Sequence, residues 1–276
     1  MSFGYRRFYR GPVAAVIFDM AGTIVDFGSR APAGVFVEVF RRHGVKISLA
    51  EARGPMGAEK RAHVAELLAM PAVQARFVER HGRPSAEADV DAIYQDFIPL
   101  QIETLPQFSD LIEGAAETVA ALRARGVRIG ANTGYNREMM EVVQAAMARQ
   151  GLELDSAVAA SDVPRARPYP AMCLRNAAEL AAPAVAACIK VDDTIPGIEE
   201  GLAAGMWTVG LTWSGNEVGL APAEWAGLPT ERQKALVARA EARMRAAGAH
   251  YVIGSVAELM PVVQAIEARL AAGEQP

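Results

Sequence analysis

Asp19 and Lys60 are the two side chains of this sequence whose types and settings promise the most chemistry. Asp19 follows the apolar run Ala14-Ala15-Val16-Ile17-Phe18 and opens the segment Asp19-Met20-Ala21-Gly22-Thr23. A carboxylate at the end of a parallel strand stands where α/β sites form, outside the carboxyl ends of the strands. From there it can attack phosphorus and pass through an acyl phosphate. Gly22 permits a tight turn, and Thr23 can hold the loop by hydrogen bonding. Many enzymes with such a segment carry a second Asp two positions on, to protonate the leaving group; here that position is Ala21. Another group must then activate the leaving group, and Lys60 is the candidate, as an imine-forming amine. Taken alone, Asp19 is equally well a strand-end residue capping the segment that follows.

Met56, Lys60, His63 and Leu67 are spaced four, three and four residues apart, which predicts one face of a helix. A lysine on a partly apolar stripe is desolvated, and desolvation favours the free amine that attacks a carbonyl. The competing reading is a lysine that snorkels to water, and the missing acid at Ala21 weighs against it. His63 is either a proton shuttle for imine formation or a structural histidine. Met56 packs around a substrate or belongs to the core. Tyr135 can reach the same cleft.

Three further strand ends carry polar groups. Asn132-Thr133-Gly134-Tyr135 offers a hydroxyl and loop amides suited to a phosphoryl oxygen, or a cap for the next helix. Arg165-Ala166-Arg167-Pro168-Tyr169-Pro170 offers a cation for a transferring group in a loop stiffened by proline, or simply a surface loop. Asp192-Asp193-Thr194 pairs two carboxylates that repel unless a cation lies between them, Mg²⁺ being the natural hard cation; helix capping is the alternative. Each signal is modest alone. Four of them in order, each at a successive strand end, converge on one edge of a sheet.

The elements that position them alternate. Strands are expected at 13–18, 127–131, 156–160, 187–191, 206–211 and 251–253, separated by helical patterns at 114–125, 136–150, 170–180, 194–204 and 255–272. This predicts an α/β fold, a Rossmann-like doubly wound parallel sheet. Residues 28–106 break the alternation with helical patterns at 31–43, 48–53, 57–69, 71–81 and 85–103, where Ser48 and Glu51 form a capping box. An all-helical cap domain at 28–106 is therefore expected, inserted into a core of 1–27 and 107–276. Its hinges fall near 26–30 and 105–109.

The 276 residues are 51% hydrophobic and 22% charged, as in a globular protein with one large core and a smaller second unit. A net charge of −4 argues against nucleic acid as a partner. The basic cluster Arg6, Arg7 and Arg10 reads as a solvated tail. No signal-peptide pattern and no run of about 20 apolar residues is present, so a cytoplasmic, non-membrane protein is expected. Cys173 and Cys188 read as buried small hydrophobes, and Trp207 and Trp213 as packing residues.

These motifs resemble the haloacid dehalogenase superfamily and, within it, the phosphonatase family. The matching residues are Asp19-Met20-Ala21-Gly22-Thr23, Pro55-Met56-Gly57 with Lys60 and His63, Thr133-Gly134-Tyr135 with Arg137-Glu138-Met139-Met140, Arg167-Pro168-Tyr169-Pro170, and Asp192-Asp193 with Gly205-Met206-Trp207-Thr208-Val209-Gly210. The resemblance implies hydrolysis of the carbon–phosphorus bond of phosphonoacetaldehyde to acetaldehyde and phosphate, within 2-aminoethylphosphonate breakdown. It implies Asp19 as nucleophile and Mg²⁺ held by Asp19, the backbone carbonyl of Ala21 and Asp193, with Asp192 close by. It implies that Thr133, Gly134 and Arg167 hold phosphonate oxygens, and that Lys60 forms the imine with help from His63, Met56 and Tyr135. It also implies a homodimer joined through the caps. Two positions depart from some members: Gly197 stands where a further Asp can occur, and Ser29 where a Cys can occur. A phosphate monoester hydrolase or phosphomutase would want an acid at Ala21. A haloacid dehalogenase would not need paired carboxylates or Mg²⁺. A non-catalytic phosphometabolite-binding protein would bind without turnover.

Overall fold

Six short, largely apolar runs form one parallel sheet in the order β3-β2-β1-β4-β5-β6 in the computed structural model, which describes residues 8–276. In chain order the elements are β1 (Ala15–Phe18), α1 (Arg30–Arg42), α2 (Leu49–Arg53), α3 (Lys60–Ala69), α4 (Pro71–His81), α5 (Glu87–Thr104) and α6 (Ala115–Ala124). Then follow β2 (Arg128–Thr133), α7 (Arg137–Arg149), β3 (Ser156–Ala159), α8 (Ala171–Glu179), β4 (Cys188–Asp192) and α9 (Ile195–Ala203). The chain closes with β5 (Trp207–Leu211), α10 (Pro222–Ala226), α11 (Thr230–Ala246), β6 (Tyr251–Ile253) and α12 (Leu259–Ala271). β1, β4 and β5 are buried along their whole length, as expected for central strands covered by helices on both faces. Of the basic N-terminal cluster, Arg6 and Arg7 lie outside the described residues, and Arg10 is exposed.

The strand order reverses direction at the β1–β4 pair, so the crevice of a doubly wound sheet opens there. Register does the rest. Phe18 pairs with Val191, and the Asp19 amide donates to the Val191 carbonyl at 2.9 Å. The next residues on each strand, Asp19 and Asp192, are therefore brought to the same level at that crevice.

Between β1 and β2 the described residues hold six α-helices and no strand, and the first five of them, α1–α5, fall within 28–106, as the unbroken helical patterning predicts. α1 is amphipathic and buries Val35, Phe36, Val39 and Phe40. Phe36 stacks on Phe97 of α5 at 4.4 Å and on His63 of α3 at 3.9 Å. The Ser48–Glu51 capping box is present at the start of α2. The buried apolar side chains of this block are continuous with those on one face of the sheet, Phe18 and Ile129 among them.

Two expectations are corrected. The third helix of the block starts at Lys60, not at 57, because Gly57 has φ +94°, outside the right-handed helix region, and Glu59 caps the helix by accepting from the Arg61 and Ala62 amides. Met56 thus lies in the turn before α3, and does not share a helix face with Lys60, His63 and Leu67. The 17-residue α11 is absent from the sequence reading, since it buries only Ala240 and Met244 and its sequence carries too thin an apolar stripe to register as periodic. Phe97→Ala should cost about 3–5 kcal/mol by emptying the stack beneath His63; a urea unfolding midpoint unchanged from the parent would refute that packing role.

Candidate active site

The ends of β1, β2 and β4, the loop after β3 and the turn before α3 meet in a small, partly open cavity. Its volume is about 20 Å³, and Asp19, Ala21, Met56, Lys60, Thr133, Gly134, Tyr135 and Arg167 line it together with Ser29, Pro32, Gly57 and Thr194. Eight of the residues singled out in the sequence therefore come together. Asp192 and Asp193 lie just beneath. His63 does not reach the cavity wall: it is stacked against Phe36, with Nε2 2.9 Å from the Ala52 carbonyl and a buried, unpartnered Nδ1.

Three carboxylates dominate the floor. One oxygen each from Asp19, Asp192 and Asp193 can be drawn within 4.8 Å of the others, all buried. Their surroundings divide the labour. Asp192 is neutralised: Lys190 Nζ lies at 3.0 Å and Arg167 Nη2 at 3.2 Å, and the Thr194 hydroxyl and amide donate at 2.6 and 3.0 Å. Burial works against its ionisation, but Arg167 and Lys190 hold it below the usual carboxylate range. Asp193 receives only neutral donors, the Thr23 hydroxyl at 3.1 Å and the Asn216 amide at 2.8 Å. Burial and the charges of Asp19 and Asp192 push its carboxyl well up. Asp19 is pushed up to about 6 by burial, against the pull of Arg167 at 2.8 Å. Asp193 is thus the carboxylate without a cationic partner, Asp19 shares Arg167 with Asp192, and a hard divalent cation with oxygen ligands fits between Asp19 and Asp193.

Arg167 spans the site. Besides Asp19 and Asp192 it meets Glu200 through Nε at 2.9 Å and the Asn132 side-chain oxygen through Nη2 at 2.6 Å. Lys190 also donates to Asn132 at 2.7 Å. This buried group of Lys190, Glu200 and Asn132, which keeps the guanidinium in one orientation, was missed in the sequence. A signal was present: Lys190 interrupts an otherwise apolar strand two residues before Asp192, hence on the same strand face. Gly197 explains its own departure. A Cβ there would fall 1.9 Å from an Asp192 carboxylate oxygen, so Asp192 occupies the space that a side chain at 197 would need.

Lys60 is buried, with its ammonium nitrogen 5.3 Å from the Tyr135 ring centre and 6.0 Å from that of Phe36. Burial pulls its pKa down to about 8, although the Asp19 charge opposes the shift. It is also the first residue of α3, where the positive helix end disfavours an ammonium. His63 is held well below its ordinary value by burial and by the Lys60 charge, and is therefore neutral. Burial likewise raises Tyr135, whose hydroxyl has no partner among the described residues. The Asp19 carboxylate, the fixed Arg167 guanidinium and the Lys60 amine thus face one small space, with Asp192 and Asp193 beside it. No described helix is long and apolar enough to cross a membrane.

Residues 13–205 match the model of the haloacid dehalogenase-like hydrolases. The chain is 52% identical to a phosphonoacetaldehyde hydrolase of Hahella chejuensis, over 100% of this chain and 94% of that one. It is 49% identical to one of Bordetella pertussis, over 95% of each. Its structure superposes with a TM-score of 0.98 on the crystal structure of a phosphonoacetaldehyde hydrolase-like protein from Oleispira antarctica, at 45% identity and 100% coverage of both chains.

Asp193 gains charge only against opposition, since its folded carboxyl titrates above the unfolded value. Without metal the fold therefore loses stability as pH rises above about 4. Asp193→Asn should raise the metal-free Tm at pH 7.5 by a few degrees and abolish the further rise that divalent cations give the parent. A lower metal-free Tm in calorimetry would contradict the charge crowding.

Proposed function

The chain belongs to the haloacid dehalogenase-like hydrolases, among relatives named phosphonoacetaldehyde hydrolase, and from that premise we propose that it hydrolyses phosphonoacetaldehyde to acetaldehyde and phosphate. The observation that carries the reading is the buried Lys60 facing Asp19 across a cavity in which Ala21 replaces the usual acid. Protonating an oxygen does not release a carbanion, so cleavage of a carbon–phosphorus bond needs an electron sink on the carbon side. The neutral Lys60 amine attacks the aldehyde carbon; the carbinolamine oxygen takes up a proton from solvent and leaves as water, and a protonated imine forms. The electron pair of the breaking bond becomes the enamine double bond, and the iminium nitrogen takes the displaced pair. Asp19 forms the new bond to phosphorus. Protonation of the enamine carbon and hydrolysis of the imine return acetaldehyde and Lys60; water releases phosphate from Asp19.

His63, neutral and with its Nδ1 lone pair free, accepts protons from the Lys60 side during imine formation. Thr133, the Gly134 amide and Arg167 hold phosphonate oxygens, and Met56 and Tyr135 enclose the aldehyde carbon. Mg²⁺, held by Asp19, the Ala21 carbonyl and Asp193, would supply positive charge to the transferring group. A cavity of about 20 Å³ admits one water and not this substrate. We therefore assign α1–α5 (within 28–106) the role of a cap that opens about 26–30 and 105–109. A cytoplasmic homodimer joined through the caps, acting after an aminotransferase step on 2-aminoethylphosphonate, completes the proposal.

Sodium borohydride added to protein, phosphonoacetaldehyde and Mg²⁺ should leave a reduced adduct on Lys60 by mass spectrometry. Lys60→Arg, which keeps charge but forms no imine, should lose roughly a thousand-fold in kcat/KM, about 4 kcal/mol. Phosphate release without any lysine adduct would sink the imine step. The Lys60 amine is free only above its pKa, so metal-free trapping should rise with pH and level off above about 8. A cation among the carboxylates should move that limb lower; a midpoint near that of an ordinary lysine would rule out the desolvated amine.

A further inference from the structure

Arg53 ends α2 and is the one helix-block cation whose guanidinium reaches across to the sheet's loops through several bonds at once. Its Nη1 donates to the Gly28 carbonyl at 2.8 Å, the Ser29 carbonyl at 3.2 Å and the Asn216 side-chain oxygen at 3.1 Å, and its Nη2 donates to the Gly219 carbonyl at 2.9 Å. Asn216 returns a bond from Nδ2 to the Arg53 carbonyl at 3.4 Å. The fit is built: a Cβ at Gly219 would lie 2.6 Å from the guanidinium carbon. Every hydrogen-bond partner is an uncharged oxygen, while the buried Asp26 and Asp193 carboxylates feel its charge through space, so the contact forms when the block is docked and breaks without severing a direct ion pair.

Two lines run from this contact to the site. Along the chain, the Met56 amide donates to the Arg53 carbonyl at 3.2 Å, and Met56, Gly57 and Lys60 follow into the cavity wall. Across space, the backbone amide of the same Asn216 donates to Asp193 at 2.8 Å. One residue of the helical block is thus joined both to the segment that carries the amine and to the carboxylate left for a cation.

We propose that Arg53 is a closure latch: a positioning residue that, through Asn216, couples docking of the helical block to the orientation of Asp193, and so lets the cation site and Lys60 assemble together. This deepens the function proposed above and rests on it for the roles of Lys60 and Asp193. Coupling of this kind is reciprocal. If docking through Arg53 orders Asp193, a cation on Asp193 must tighten docking.

The test reads amide hydrogen exchange by mass spectrometry over 53–60 and 212–219, with and without Mn²⁺, alongside Mn²⁺ affinity by calorimetry. In the parent, Mn²⁺ should slow exchange of 53–60. Arg53→Ala should speed exchange in both segments without metal and weaken Mn²⁺ binding about ten-fold, with Arg53→Lys between the two. The lysine variant, which keeps the charge and one donor, carries the test if the alanine variant fails to fold. Asn216→Ala should keep most of the docking but lose the slowing by Mn²⁺. Parent-like Mn²⁺ affinity in both Arg53 variants, or full Mn²⁺ protection of 53–60 in Asn216→Ala, would overturn the latch. A parent that binds Mn²⁺ and gains protection, yet forms no adduct on Lys60, would leave the latch standing and defeat the imine reading instead.

Discussion

Like charge crowded into a buried place is the constraint around which this molecule is organised. Parallel pairing of β1 with β4 sets Asp19 level with Asp192, and Asp193 follows at once, so three carboxylates share a volume that water barely enters. Such a cluster is tenable only with compensating charge. Lys190 and Arg167 provide it for Asp192, and both are fixed by Asn132 and Glu200. Asp19 shares Arg167 with Asp192, and Asp193 has no cationic partner. The site is therefore arranged electrostatically before any ligand arrives: Asp19 and Asp192 orient the guanidinium, and Asp193 is left without a cation. Preorganised charge of this kind is where enzymes find most of their stabilisation of charge-developing steps.

The same desolvation acts oppositely on the amine. Burying Lys60 at the positive end of α3 makes the neutral form accessible near physiological pH, whereas Asp19, across the cavity, pulls it back toward the ammonium. Opening the cavity to water would relax both effects together. Closure of the proposed cap would be an electrostatic event as well as a steric one, and its reach is short. Close backbone approach carries it: a Cβ on Gly134 would meet the Ala58 carbonyl at 2.5 Å, so the loop after β2 and the turn before α3 touch main chain to main chain.

Much of this was legible in the sequence because the carriers are local. Strand-end position, read from apolar runs, locates Asp19, Thr133 and Asp192–Asp193, and the strandless stretch announces the helical insertion. The tally of elements fails where signals are not local or not apolar. α11 packs through two side chains and otherwise faces solvent, so its periodicity is faint. Spacing alone puts Met56 on the helix, whereas the left-handed Gly57 ends any such register. Lys190, Glu200, Arg53 and Asn216 act through partners far away in sequence, and pairing of that kind is written in topology.

Gly197 shows how a departure from a pattern can be read physically. At 197, where the family resemblance allows a carboxylate, this chain has Gly, and the space is filled by the Asp192 carboxylate itself. Asp192 can sit there only because Thr194 caps it from the same turn and Lys190 and Arg167 meet it from the strand and the loop after β3. A carboxylate held by two cations is a poor ligand for a third, so the two jobs a carboxylate pair can do, binding a cation and aligning an arginine, are divided between adjacent residues. Ala21 belongs to the same logic. In the proposed reaction there is no acid beside Asp19, so the leaving group would be dealt with from the opposite wall of the cavity, where the helical insertion places Lys60. On that reading the chemistry at phosphorus and the position of α3 are bound to one another by what the first loop lacks.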